Sequence, residues 1–326
     1  MRRTHVEGIE PMHISERPRV IVLAGATGFI GSAALDVLAR RPDVRVRALA
    51  RTPGAAREGV EWVPADLCDP GSLRGVCEGA AALVNLASYI GRDEERCHTV
   101  NVVGGAALLA EAVRAGVRRI VHLSTAAVYG NLPHRGIEVD EVAPDPVSAA
   151  SRSRLAAEAP VLAAGGTVLR PGLVLGAGDR WVVPALAELV DRVPANWDGG
   201  RALLSLIDVC ELARLIDALA TAPGYLPGGI HHASHPAPVK SADLVSALAT
   251  EGILPEVREE WPWDRCVERL RERPGRVTER QFSLLARDYH QRADPIWRLT
   301  GLRPTPTALA LLPSAAPWYR AHLTRT

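Results

Sequence analysis

At 326 residues, with 38 Lys and Arg against 37 Asp and Glu and a formal net charge of +1, the chain is long enough for one large domain or two modest ones. It carries no block of like charge of the kind that marks a nucleic-acid or anionic-membrane partner, and no uninterrupted apolar window of the roughly 18 residues that a membrane span needs. The five cysteines (Cys68, Cys77, Cys97, Cys210 and Cys266) are odd in number and form no C-x-x-C pair, which argues against a disulfide framework and a zinc knuckle and favours a reducing cytosol.

Residues 1 to about 18 read as a flexible tail, charged but without the apolar stretch of a secretory signal, and Met12 offers an alternative start. From Arg19 the chain alternates short β-branched runs with longer Ala- and Leu-rich segments, the pattern of strands joined by crossover helices into a parallel sheet. Strands are expected at 19–25, 44–50, 60–66, 81–87, 118–125 and 166–172. Helices are expected at 30–41, 70–79 and 101–116, the last ended by Gly116. Beyond about 175 prolines become frequent, and the helices expected at 182–193, 210–221 and 241–252 alternate with short strands. The fold expected is therefore α/β: a Rossmann-type doubly wound parallel sheet over 19–175, and a smaller mixed α/β substrate lobe over 176–326, with the chain crossing back to the first domain.

"VIVLAGATGFIGSAAL" sets Gly25, Gly28 and Gly31 directly after an apolar strand and at the start of a helix. Glycines there let the backbone turn tightly and approach a pyrophosphate, which the helix N-terminus favours with free amides and its dipole. The loop is thus expected to bind a dinucleotide through Gly25, Thr27, Gly28, Phe29, Ile30 and Gly31. Arg51 closes the second strand, where an acidic residue would grip the ribose hydroxyls. A guanidinium suits a 2′-phosphate instead, so NADP(H) is expected over NAD(H).

Together "GATGFIG", "PADL", "NLAS", "NVVGGAALLAEAVRAGVRRIVHLSTAAVYG", "LRPGLVLGAGDR" and "SLIDVCELA" resemble the extended short-chain dehydrogenase/reductase family, of the NAD(P)-dependent epimerase/dehydratase type, from Arg19 to about Ala220. The final segment, "LTGLRPTPTALALLPSAAPWYR", is similar to the tails of its 3β-hydroxysteroid-dehydrogenase-like and dihydroflavonol-reductase-like branches. The resemblance implies that Asp66 and Leu67 contact adenine and that Leu86 and Ala87 lie against the cofactor backbone. It further implies that Asn101 supports the active site, that Pro171 and Gly172 lie beside the nicotinamide, and that the helices carrying 101–116 and 153–165 form a homodimer surface.

The same resemblance makes Thr125 of "LSTAAVYG" the donor to a developing oxyanion, with Ser124 as the alternative. Downstream the family has Y-x-x-x-K, a tyrosine acid or base and a lysine that lowers its pKa and holds the ribose. Anchored on "LAAE", these positions carry Ala150 and Arg154, and the chain has no tyrosine between Tyr129 and Tyr225. Arg154 can hold ribose hydroxyls, but its charge is fixed.

Three readings follow. The first is an NADP(H)-dependent reductase whose proton comes from Tyr89, His98, His134, Glu141, Ser148, Ser151, the substrate or water. The second is an isomerase, cyclase or lyase on the same scaffold, and the third a catalytically silent sensor.

Leu204 stands where nucleotide-sugar enzymes of the family carry a pyrophosphate-gripping arginine, so a neutral or apolar ketone, imine or enone is the expected substrate. No metal site is expected: "HHASH", His231 to His235, has no carboxylate or cysteine beside it. The tryptophans of "EEWPWDRC" read as packing or as an aromatic wall over a ligand.

Overall fold

A computed structural model describes residues 18–323, so that the tail and the alternative start at Met12 lie outside the described residues. Seven parallel strands form the large sheet: β1 (Arg19–Ala24), β2 (Val44–Ala50), β3 (Val60–Pro64), β4 (Ala80–Asn85), β5 (Arg119–Leu123), β6 (Thr167–Arg170) and β7 (Gly229–His232). Their order is β7-β6-β5-β4-β1-β2-β3, doubly wound from β1. All six strands expected from the sequence are present to within a few residues.

Alternation along each strand sends side chains to opposite faces and divides the core into two layers. Ile21, Leu23, Val84 and Val121 meet Leu35 and Leu38 of α1 (Phe29–Leu38), while Val22, Leu83, Ile120 and Val168 meet Leu108 and Ala112 of α2 (Gly105–Arg114). α3 (Ala149–Ala163) packs beside α2. On the α1 face lies a helix from beyond the substrate strands, counted here after α4 (Val182–Arg192) as α5 (Val209–Thr221).

Two expected helices took another form. Residues 70–79 make only a 3-10 turn over Pro70–Leu73, because Gly75 and Gly79 adopt φ of +76° and +67°, outside any right-handed helix. The helix expected at 101–116 begins as a π-helix over His98–Gly104, a widening often found at functional sites, before becoming α2. Gly116 ends it at φ +76°, as expected.

The smaller lobe is built around a four-stranded mixed sheet in the order Val239–Lys240, Leu203–Leu204, Tyr289–Gln291, His134–Ile137. Neither lobe is one continuous stretch: His134–Ile137 joins the small sheet, and β7 closes the large one. Trp261 is buried, Trp263 stacks on Phe282 (centroids 5.0–5.1 Å for its two tryptophan neighbours), and Trp197 meets the same ring edge-on. The tryptophan-rich segment thus packs the lobe. Among the described residues no helix is long and apolar enough to cross a membrane.

Candidate active site

The chain leaves β1 and turns at Gly25, φ +81°, where a Cβ would sit 2.7 Å from the amide nitrogen of Ala87. Gly28 donates to the Gly25 carbonyl at 2.9 Å, and a Cβ on Gly31 would lie 1.9 Å from that same oxygen. Both positions therefore require glycine. Gly28 caps α1 without any side-chain hydrogen bond, so the first helical amides are left to an anion.

In front of this turn runs a groove of about 280 Å³ at the carboxyl ends of the strands, where doubly wound sheets bind ligands. Gly25, Thr27 and Gly28 line it together with Arg51, Asp66, Leu67, Leu86 and Ala87. The Asp66 carboxylate accepts from the Cys68 amide at 2.9 Å, which shapes the turn after β3. Arg51 is exposed, with no carboxylate in ion-pair range among the described residues. The glycine cradle, the uncapped helix and the free guanidinium fit an extended anionic dinucleotide. Phe29, Ile30, Gly31, Thr125, Arg154, Pro171 and Gly172 are not on the groove wall. Gly172 is pinned by its amide to Ser234 Oγ at 3.0 Å, and the Pro171 carbonyl accepts from Ala126 at 2.8 Å.

Thr125 is half-buried at the end of β5 and its Oγ1 accepts from the Ala127 amide at 3.2 Å, which leaves its proton to donate. Ser124 is fully buried, and its hydroxyl donates to Glu158. Ala150 lies in the first turn of α3, and Arg154 follows one turn on. The Arg154 guanidinium donates to the carbonyls of Leu123 (3.2 Å) and Ser124, beside Thr125, while its buried Nε has no partner among the described residues. Burial pushes this guanidinium down to about 10.

Asn101, in the π-helix, accepts from the Tyr89 amide at 2.7 Å and donates to the Tyr89 carbonyl at 2.9 Å and to Ser153 Oγ at 2.8 Å. One buried amide thereby ties the groove wall at Tyr89 to the residue before Arg154. Tyr89 lines the groove, with Arg96 stacked over its ring at 5.0 Å. Of the other residues considered as proton sources, Ser148 and Ser151 bond one another in the capping box of α3, His134 bonds Gln291 in the small sheet, Glu141 accepts from the Glu138 amide, and His98 is exposed.

Behind the site lies a network that sequence reasoning missed. Glu158 accepts from Arg170 through both oxygens, at 3.1 and 2.6 Å, and Arg170 donates to the Tyr129 hydroxyl at 2.8 Å. His232 Nδ1 lies 3.0 Å from the Arg292 carbonyl, to which it donates, leaving Nε2 to accept from Tyr129 at 2.7 Å. Burial pushes His232 down to about 4 and raises the Tyr129 phenol, so both stay neutral. The signal was available: "LAAE" and "LRPG" put two charges at buried positions, and buried charges need partners. Also missed were Ser88, which continues the run through Leu86 and Ala87, and Arg96 and Val100, all on the groove wall. His232 and His235 of "HHASH" are held by Tyr129 and by the Thr305 carbonyl.

The sequence pattern of the NAD dependent epimerase/dehydratase family matches residues 21–230. The 4-hydroxy-2-methyl-3-oxo-4-farnesyl-3,4-dihydroquinoline-1-oxide ketoreductase of Stigmatella aurantiaca is 30% identical over 252 residues, 72% of this chain and 74% of that protein. The 2-alkyl-3-oxoalkanoate reductase of Stenotrophomonas maltophilia is 29% identical over 81% of this chain and 84% of its own. Among solved structures, a short-chain dehydrogenase/reductase superfamily protein from Agrobacterium tumefaciens with bound NAD superposes with a TM-score of 0.73 at 22% identity, covering 94% of this chain and 99% of that one. The UDP-Glc/GlcNAc 4-epimerase of Campylobacter jejuni gives 0.73 at 17% identity, over 93% and 99%. At such identities the structures attest the fold.

Proposed function

The chain belongs to the NAD-dependent epimerase/dehydratase family, and from that premise we propose that it is an NADP(H)-dependent reductase of a small, largely apolar ketone, imine or enone. The observation that carries the reading is the groove lined both by the glycine turn at the uncapped start of α1 and by Arg51, which has no ion-pair partner among the described residues. Relatives of this length that are named as reductases of farnesylated and alkylated ketones support the substrate side.

A reduced nicotinamide bound there supplies a hydride. In this proposal Thr125 donates a hydrogen bond to the carbonyl oxygen as negative charge develops on it. Arg154, anchored on the last carbonyls of β5, holds the ribose hydroxyls and adds a fixed positive charge beside the oxyanion. Ala150 can give no proton, so the proton that completes the alcohol comes from Tyr89 on the groove wall. Asn101 positions Tyr89 and, through Ser153, the turn of α3 that carries Arg154.

A homodimer through α2 and α3 and a cytosolic location belong to the same reading. Val103 and Val113, 45% and 55% exposed along the π-helix and α2, support the first.

The test is calorimetric titration with NADPH and, separately, NADH, followed by assay of ketones, imines and enones for NADPH consumption. Tighter binding of NADPH with turnover is expected. Failure of folded protein to bind either nucleotide would overturn the proposal.

A further inference from the structure

A second cavity, of about 610 Å³, opens where the two segments that frame the active site run on into the smaller lobe. One segment leaves the groove at Tyr89 and reaches it at Arg92. The other leaves Pro171 and Gly172, passes Gly178, whose Cβ position is 3.0 Å from the Phe29 ring, and reaches it at Asp179 to Trp181. Its size falls in the range of about 300–1,000 Å³ typical of small-molecule sites. Trp181, Pro184 and Ala185 at the start of α4, Val277, and Trp318 and Leu323 of the C-terminal helix α6 (Leu312–Leu323) give it apolar walls. Trp181, in that lining, is 61% exposed, a large apolar side chain left in water.

The charges around this cavity are unbalanced in effect. Its carboxylates are already engaged: Asp179 accepts the amides of Trp181, Val182 and Val183 at 2.7–3.0 Å and the Tyr319 hydroxyl at 3.1 Å. Glu188 accepts from the Val277 amide at 2.8 Å and from Arg192 at 3.0 Å, and it pairs with Arg276 at 3.5 Å. Arg92 and Arg180, which also line the cavity, have no carboxylate within ion-pair range among the described residues. An apolar recess whose lining also carries two guanidiniums without a carboxylate partner among the described residues complements a molecule that is anionic at one end and hydrocarbon along the rest.

We propose that this cavity is the substrate site and that it takes an amphiphilic carboxylate, its carboxylate at Arg92 and Arg180 and its hydrocarbon between α4 and α6. The assignment rests on the reductase reading for its link to chemistry: the substrate would be an oxo acid whose carbonyl turns back toward Thr125.

The test is calorimetric titration of the full chain with decanoate, decan-1-ol, hexanoate and UDP. Decanoate should bind about tenfold or more tighter than decan-1-ol, the margin of a charge-assisted hydrogen bond. It should also bind about tenfold or more tighter than hexanoate, since four further methylenes are buried. In the double variant Arg92→Gln/Arg180→Gln the advantage over decan-1-ol should disappear while NADPH binding is kept, which also shows that the variant folds. Trp181→Ala should weaken decanoate and decan-1-ol alike. Equal binding of acid and alcohol, insensitivity of decanoate to the two arginine substitutions, tighter binding of UDP than of decanoate, or no binding of decanoate at all would each overturn the assignment. Wild-type protein that takes up decanoate but neither NADPH nor NADH would instead overturn the reductase reading and leave the cavity assignment standing.

Discussion

Arg170, at the end of β6, and Glu158, on α3, face each other through two parallel hydrogen bonds of 3.1 and 2.6 Å, with both side chains only 3% exposed. Removing one partner strands the other charge in the core. Arg170→Met is therefore expected to cost about 3–5 kcal/mol, and Arg170→Met/Glu158→Leu to recover much of that loss. Denaturant unfolding of both variants checks it, and a double variant no more stable than the single one would contradict it.

Gly25→Ala asks a side chain to occupy a left-handed backbone position 2.7 Å from the Ala87 nitrogen. The turn must shift, and the groove with it. Affinity for NADPH should fall by at least about tenfold, since 1.4 kcal/mol of misfit suffices for that and a single strained site costs about 1–3 kcal/mol. Titration against wild type reads the change directly.

If Arg51 meets a 2′-phosphate, Arg51→Glu should reverse the nucleotide preference, weakening NADPH while sparing or improving NADH. Because Arg51 is exposed and unpaired, the folded state should hardly notice. Equal weakening of both nucleotides would contradict the role.

Thr125→Val removes the proposed oxyanion donor and should lower kcat by about 10² to 10³ with NADPH binding intact. Tyr89→Phe should lower kcat by about 10² to 10⁴. An unchanged rate in Tyr89→Phe would assign the proton to water.

His122 is 5% exposed, and neither ring nitrogen has a partner among the described residues; burial pushes it down to about 4, as it does His232. In the unfolded chain both rings titrate near 6.5, so the unfolded state binds more protons between those values and stability falls as pH is lowered from about 6.5 to 4. Each ring accounts for roughly 3 kcal/mol at most. His122→Leu should be near neutral at pH 7, because no hydrogen bond is lost, and should lessen the acid slope of Tm. A slope identical to wild type would refute this.

What the sequence displayed was local. The strand, the three glycines and the helix sit within about twenty residues, and the steric demands at Gly25 and Gly31 are met there, so the loop was legible. Asp66, Leu67, Leu86 and Ala87 were singled out through the family resemblance, and the structure sets all four along one groove. The Glu158–Arg170–Tyr129–His232 chain joins residues as many as 103 positions apart, and no periodicity announces such a meeting. The same holds for the two-residue strands Leu203–Leu204 and Val239–Lys240, too short for an alternation of their own. Residues 70–79 misled because their apolar spacing is helical, while the glycines within it decide the backbone.

The placement of β7 carries a last consequence, for how the protein is made and how it can be cut. Val168 and Leu169 of β6 are fully buried, and β6 is flanked on its outer side by a strand that emerges only after α5 has been synthesised. Until then the nascent sheet ends in an open row of amides and carbonyls, a template for pairing with another copy. The nucleotide half is thus no portable module. A fragment ending near residue 175 should assemble through its exposed edge into aggregates, whereas one extended past His232 keeps its own cover.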